Sequence, residues 1–128
     1  MNQSSSTGVY TYFDGDDVGA NIELRLLEDD VQGAALVSAR VSGAVQWIRE
    51  SLERDFAGQI MFAAGDEVLA FLKEIPSLAD IDHIRVEFRT RTGLSVSCGV
   101  GESAREAASQ LRLAKLRGKN RSEGIGNG

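Results

Sequence analysis

The residues able to do chemistry in this chain fall into three short clusters. Asp14, Asp16 and Asp17 stand in the run D-G-D-D-V-G at 14–19, Asp66 and Glu67 follow Gly65, and Lys115 and Lys119 are four apart near the C-terminus. Asp14 closes a β-prone run, V-Y-T-Y-F, while Asp66 and Glu67 occupy the turn between two further strand-like runs. If those strands are sheet neighbours, Asp14, Asp66 and Glu67 meet at one edge. Carboxylates so close repel unless a divalent cation lies between them, and an oxygen-only ligand set suits Mg²⁺ or Mn²⁺. Two such ions can align an attacking oxygen and a leaving pyrophosphate for in-line displacement. Lys115 and Lys119 would then hold the distal phosphates, and the loop of Gly15, Asp16, Asp17, Val18 and Gly19 would cradle the rest on its amides, as a loop running into a helix N-terminus does.

Taken singly, D-G-D-D is a polar turn, G-D-E a hairpin and the basic run a helix end that complements its dipole. Their joint occurrence in a fitting strand order is what favours a site. Within it Asp16 and Asp17 have a weaker claim than Asp14, because they also suit a plain turn. His83, Cys98 and Trp47 read as structural. One histidine and no nucleophile elbow leave a Ser/His/Asp triad without support.

The chain has 128 residues, enough for one domain with a modest core. A hydrophobic content of 42% and a charged content of 26% are ordinary for a soluble globular protein. No apolar run approaches the roughly 18 residues of a membrane helix, and the polar start lacks the hydrophobic region of a signal peptide. The single cysteine excludes an internal disulfide and, with one histidine, a Cys/His zinc site. A cytoplasmic setting is the expectation. The net charge of −5 argues against a long nucleic acid as partner, since such binding needs a basic surface.

The elements that must position the clusters follow from periodicity. A strand is expected at 8–14, near-continuously apolar and hence central, then a short helix at about 20–28 and a longer one at about 34–56. Gly43 costs that helix stability, and close packing would be a reason for it. Strands at about 58–63 and over E-V-L-A-F-L are expected to form a hairpin; the apolar run of the second also fits a helix, but its shortness and the punctuation by Gly65 favour a strand. Ser77 with Asp80 and Ser103 with Glu106 are capping-box signatures that open two more helices, with a strand at 94–101 between them. The order βααββαβα describes an α+β, ferredoxin-like domain: a mainly antiparallel, four-stranded sheet with helices on one face. Residues 1–7 are expected to be a disordered tail, 8–120 the domain and 121–128 a flexible tail.

Three rivals for D-G-D-D-V-G fall short. An EF-hand loop would want an oxygen ligand at Val18 and a Glu at Arg25. The aspartate motif of haloacid-dehalogenase-like phosphatases matches Asp14, Asp16 and Val18, but five residues only, and the hairpin disagrees with that fold. A receiver domain would place its acidic pair elsewhere.

The motifs F-D-G-D-D-V-G, F-A-A-G-D-E-V-L, S-V-S-C-G-V-G and L-R-L-A-K-L-R-G-K-N, in this order over about 8–120, resemble those of GGDEF-type palm domains. That group includes diguanylate cyclases, archaeal GTP cyclohydrolase III and the polymerase subunit of type III CRISPR complexes. A stand-alone palm of this length most resembles the minimal CRISPR polymerase (mCpol) group, associated with anti-phage signalling systems such as Panoptes. The resemblance implies metal ligation by Asp14, the Gly15 carbonyl, Asp66 and Glu67, and phosphate contacts from residues 15–19, Lys115 and Lys119. It implies a cyclic dinucleotide of c-di-AMP type made from ATP, with GTP the other candidate substrate, and a membrane-bound effector that reads the product. Two departures bear on substrate. The first glycine of G-G-D-E is Ala64, and the guanine-reading Asn of diguanylate cyclases is replaced by Ile22, with Asn21 one step away. One site holds one nucleotide, so cyclisation calls for a homodimer. A cyclohydrolase III-like opening of GTP and a palm that senses nucleotides without turnover are the alternatives.

Overall fold

A computed structural model describes residues 7–125. Five strands and four helices follow in the order β1 (Val9–Gly15), α1 (Val18–Leu27), α2 (Val31–Asp55), β2 (Gly58–Ala64), β3 (Glu67–Leu72), α3 (Leu78–Thr92), β4 (Val96–Gly101), α4 (Ala104–Leu116) and β5 (Ser122–Glu123). The sheet order is β2-β3-β1-β4-β5. β1 is central as expected and runs antiparallel to β3 and to β4.

The β2–β3 hairpin turns on Gly65 and Asp66. Gly65 takes a φ of +60°, the backbone that the first position of a II′ turn demands and that side chains resist. α2 buries Val41, Ala44, Val45, Ile48 and Leu52, the three- and four-residue spacing of one helix face. Gly43, by contrast, is exposed with open space around it, so close packing is not its reason. Ser77 and Asp80 form a complete capping box at the start of α3, whose Ile81, Ile84 and Phe88 enter the core. Phe13, Val68, Leu72, Val96 and Cys98 meet these helices from the sheet.

Two expectations about the sheet are corrected. It has five strands, because Ser122 and Glu123 pair in parallel with Cys98 and Gly99. Residues 121–125, expected in a flexible tail, are thus tied down, with the Cys98 amide donating to the Arg121 carbonyl at 3.0 Å. Residues 1–6 and 126–128, also expected to be tail, lie outside the described residues. The helices, moreover, occupy both faces. Val96, Cys98 and Val100 point into the core with α2 and α3, whereas a Cβ on Gly99 would overlap the backbone of Ala107 and Leu111 in α4. The alternation of β4 therefore reads as apolar toward one helix layer and small toward another. No described helix is long and apolar enough to cross a membrane.

Candidate active site

The site forms where β1 ends. Antiparallel register sets Asp14 opposite Glu67 on β3 and opposite Ser97 on β4. Asp66, in the adjoining turn, is drawn to the same edge by the Gly15 amide, which donates to the Asp66 carbonyl at 3.0 Å. Asp14, Asp66 and Glu67 each bring a carboxylate oxygen to within 4.8 Å of the others. Burial, and then the charges of Asp66 and Glu67, push the Asp14 carboxyl up to about 6 in spite of nearby Lys115. A cluster of oxygen donors that resists its own negative charge fits a hard divalent cation such as Mg²⁺ or Mn²⁺. Tyr12 adds a hydroxyl to its rim, donating to Glu67 Oε1 at 2.7 Å. Its phenol is raised to about 12, by burial first and then by that bond to Glu67.

Asp16 belongs to a different network. Although it follows Asp14 by two residues, it turns inward and is 4% exposed. Oδ1 accepts from Lys115 Nζ at 2.7 Å and Ser97 Oγ at 2.8 Å, and Oδ2 from Ser95 Oγ at 2.7 Å and the Asn120 amide at 2.9 Å. Burial alone would raise its carboxyl, but these donors outweigh that and hold it below the usual range. Lys115 also donates to the carbonyls of Gly15 at 2.9 Å and Asp14 at 3.2 Å, and its ammonium lies 3.3 Å from Asp14 Oδ2. Both groups that sequence reasoning gave to phosphate therefore spend their contacts on the loop itself. Lys119 and Asp17 remain outside, paired at 2.6 Å on the surface.

Asp17 takes a left-handed backbone, φ 58°, and opens α1 with no side-chain cap. The first amides of that helix, Val18, Gly19 and Ala20, have no intrahelical acceptor by construction. Beside them lies a cavity of about 160 Å³, lined by Val18, Ile22, Ser38, Val41, Ser42 and Asp66 among others. Asn21 stays out of it, its Nδ2 donating to the Asp17 carbonyl at 2.9 Å.

Sequence reasoning thus named the trio that the fold assembles, and it missed Tyr12, Ser95, Ser97 and Asn120. Two signals were available: Tyr12 precedes Asp14 by two on the same strand face, and Ser97 is the register partner of Asp14 on β4, with Ser95 two residues ahead of it, just before the strand begins.

A ferredoxin-like sheet with a carboxylate trio at its β1–hairpin edge and a cavity beside a helix N-terminus defines a palm domain of the nucleotide cyclase and polymerase type. The model of the minimal CRISPR polymerase (mCpol) domain matches residues 10–125, and the chain belongs to that family. Among solved structures it is similar to a Csm1–Csm4 cassette in complex with cA4 (18% identity, TM-score 0.62, 97% of this chain and 22% of that one). The same cassette in complex with one ATP aligns at 17% identity and a TM-score of 0.64, over 94% of this chain and 21% of that one. The diguanylate cyclase SiaD of Pseudomonas aeruginosa, in complex with its activator SiaC, aligns at 18% identity and a TM-score of 0.59, over 94% and 51%. The chain thus spans about a fifth of the cassette chains and half of the cyclase. Comparison with curated proteins finds no match.

Proposed function

We propose that the chain is a divalent-metal-dependent nucleotidyltransferase that joins two ATP molecules into a cyclic dinucleotide of c-di-AMP type. The observation that carries this reading is the convergence of Asp14, Asp66 and Glu67 within 4.8 Å, beside a cavity at a helix N-terminus. The ATP and cA4 held by the Csm1–Csm4 cassettes support an adenine nucleotide. In the reaction, a ribose hydroxyl of one ATP forms a bond to the α-phosphorus of the other as the bond to pyrophosphate breaks, and the hydroxyl proton passes to solvent. A second such step closes the ring, so two pyrophosphates leave per product. Mg²⁺ or Mn²⁺ bound to Asp14, Asp66 and Glu67 would supply charge stabilisation and alignment.

The chain's own groups divide the remaining work. The amides of Val18, Gly19 and Ala20 receive phosphate oxygens at the positive end of α1. Lys119, at the surface, exchanges Asp17 for the terminal phosphate. Lys115 and Asp16 hold the loop in shape, and Lys115 shares its charge with the triphosphate. Ile22, Ser38 and Ser42 line the cavity proposed for the base. The serine hydroxyls both donate and accept, as the adenine edge requires, and Asn21 is engaged elsewhere. Since one site holds one nucleotide, the active form is a homodimer. The setting we propose is cytoplasmic anti-phage defence, with a membrane-bound effector that reads the product.

The test is mass spectrometry of the products formed from ATP, GTP or both with Mn²⁺ or Mg²⁺, beside an Asp66→Ala/Glu67→Ala control. A cyclic dinucleotide that the control fails to make is expected. Bound but unchanged nucleotide would replace this reading with a sensor, and ring-opened GTP with a cyclohydrolase.

A further inference from the structure

We propose that Tyr12 is a positioning residue: it holds the Glu67 carboxylate in the acidic trio and so sets how tightly the site takes a divalent cation. This rests on the metal-binding reading above.

Tyr12 and Asp14 are two residues apart on one face of β1, opposite Leu69 and Glu67 of β3. The Tyr12 hydroxyl donates to Glu67 Oε1 at 2.7 Å, and its ring stands edge-on to Phe62, with centroids 5.9 Å apart at 90°. On the β4 side its register partner is Gly99, which offers no side chain in competition. The phenol is therefore fixed at both ends on the central strand of the sheet. Glu67, by contrast, has the longest and most rotatable side chain of the trio, and Asp14 and Asp66 repel it. Left alone it would turn toward solvent, and a cation would have to recover it at each binding event. The Tyr12 hydroxyl does that work in advance: a hydrogen bond to one carboxylate oxygen fixes the rotation of the group. Outer partners of this kind typically govern metal affinity by about 10–100-fold.

Tyr12→Phe keeps the ring against Phe62 and deletes the hydroxyl. With Mn²⁺ as the probe and no nucleotide present, its dissociation constant, read by electron paramagnetic resonance or calorimetry, is expected to rise about tenfold or more over the wild type. Tyr10→Phe, on the same strand face with its ring against Phe71, should leave it unchanged. In a Glu67→Ala background, where the acceptor of the Tyr12 hydroxyl is gone, Tyr12→Phe should cost nothing further, whereas a merely structural effect would appear in both backgrounds. Circular dichroism in EDTA checks that each variant is folded. Equal Mn²⁺ affinities for wild type and Tyr12→Phe would overturn the role of Tyr12 while leaving the metal site standing. A wild type that takes up no Mn²⁺ would overturn the metal reading and this inference with it.

Discussion

Replacing Asp16 by Asn tests whether its carboxylate builds the loop or serves the ligand. The change keeps shape and removes one acceptor oxygen and the charge. Oδ1 faces Lys115 and Ser97, and Oδ2 faces Ser95 and the Asn120 amide. The serines can turn their hydroxyls to accept, but an ammonium and a backbone N–H only donate, so either orientation of the new amide sets donor against donor. An unsatisfied buried donor costs about 1–3 kcal/mol, and loss of one partner from a buried ion pair about 3–5 kcal/mol. Lys115 is 17% exposed and keeps Asp14 and two carbonyls, so the lower part of the combined range applies, about 2–4 kcal/mol. With a mid-range urea slope of about 2 kcal/mol/M, the unfolding midpoint should fall by about 1–2 M at unchanged slope. The loss has a pH signature. Because the folded Asp16 carboxyl lies below its unfolded value of 3.8, its contribution is present above that value and fades as pH falls through the folded pKa. Wild type and variant should therefore converge in acid. A midpoint unmoved at pH 7, combined with weakened nucleotide binding, would refute the structural role and return Asp16 to the ligand.

Other perturbations bear on the trio and its support. Mn²⁺ at 100 times its dissociation constant should stabilise the wild type by about 2.7 kcal/mol, and Asp66→Ala/Glu67→Ala not at all; thermal melts with and without metal compare them. The Asp14 carboxyl, at about 6 when folded against 3.8 in its unperturbed state, binds its proton more tightly in the fold. Metal-free stability should therefore fall as pH rises between those values, and Mn²⁺ affinity should drop by up to about tenfold per unit as pH is lowered below about 6, with proton uptake into buffer visible by calorimetry. Gly99→Ala puts a methyl into the backbone of α4, which no side-chain rotation relieves. It should destabilise by about 3 kcal/mol or more and displace Lys115 with the helix; denaturant melts check the first effect and nucleotide affinity the second.

What could be read from residue types alone depended on how local the cause was. Strand β1 announced itself through Val9, Tyr10, Thr11, Tyr12 and Phe13, and α3 through Ser77 and Asp80, because propensity and capping act over a few residues. The trio was legible for another reason: antiparallel pairing of the strand before Asp14 with the strand after Asp66 leaves one register in which their carboxylates meet. β5 was invisible, since Ser122 and Glu123 carry no apolar pattern and owe their pairing to an edge that β4 leaves open. The second helix layer was encoded in the small residues Ser97, Gly99 and Gly101, but their meaning needs the register that turns them toward α4. The basic residues mark where motif reading gives out. Spacing identifies Lys115 as a cation near the site, yet which anion it holds is a competition. At 99 residues' separation, Asp16 enters that competition because the loop folds its second aspartate inward, where it is buried. In the proposed complex a phosphate must displace two carboxylates and two carbonyls already in place. On the proposed function, Lys115 shapes the loop beside the acidic trio before it meets a nucleotide, so its removal should weaken Mn²⁺ binding even when no nucleotide is present.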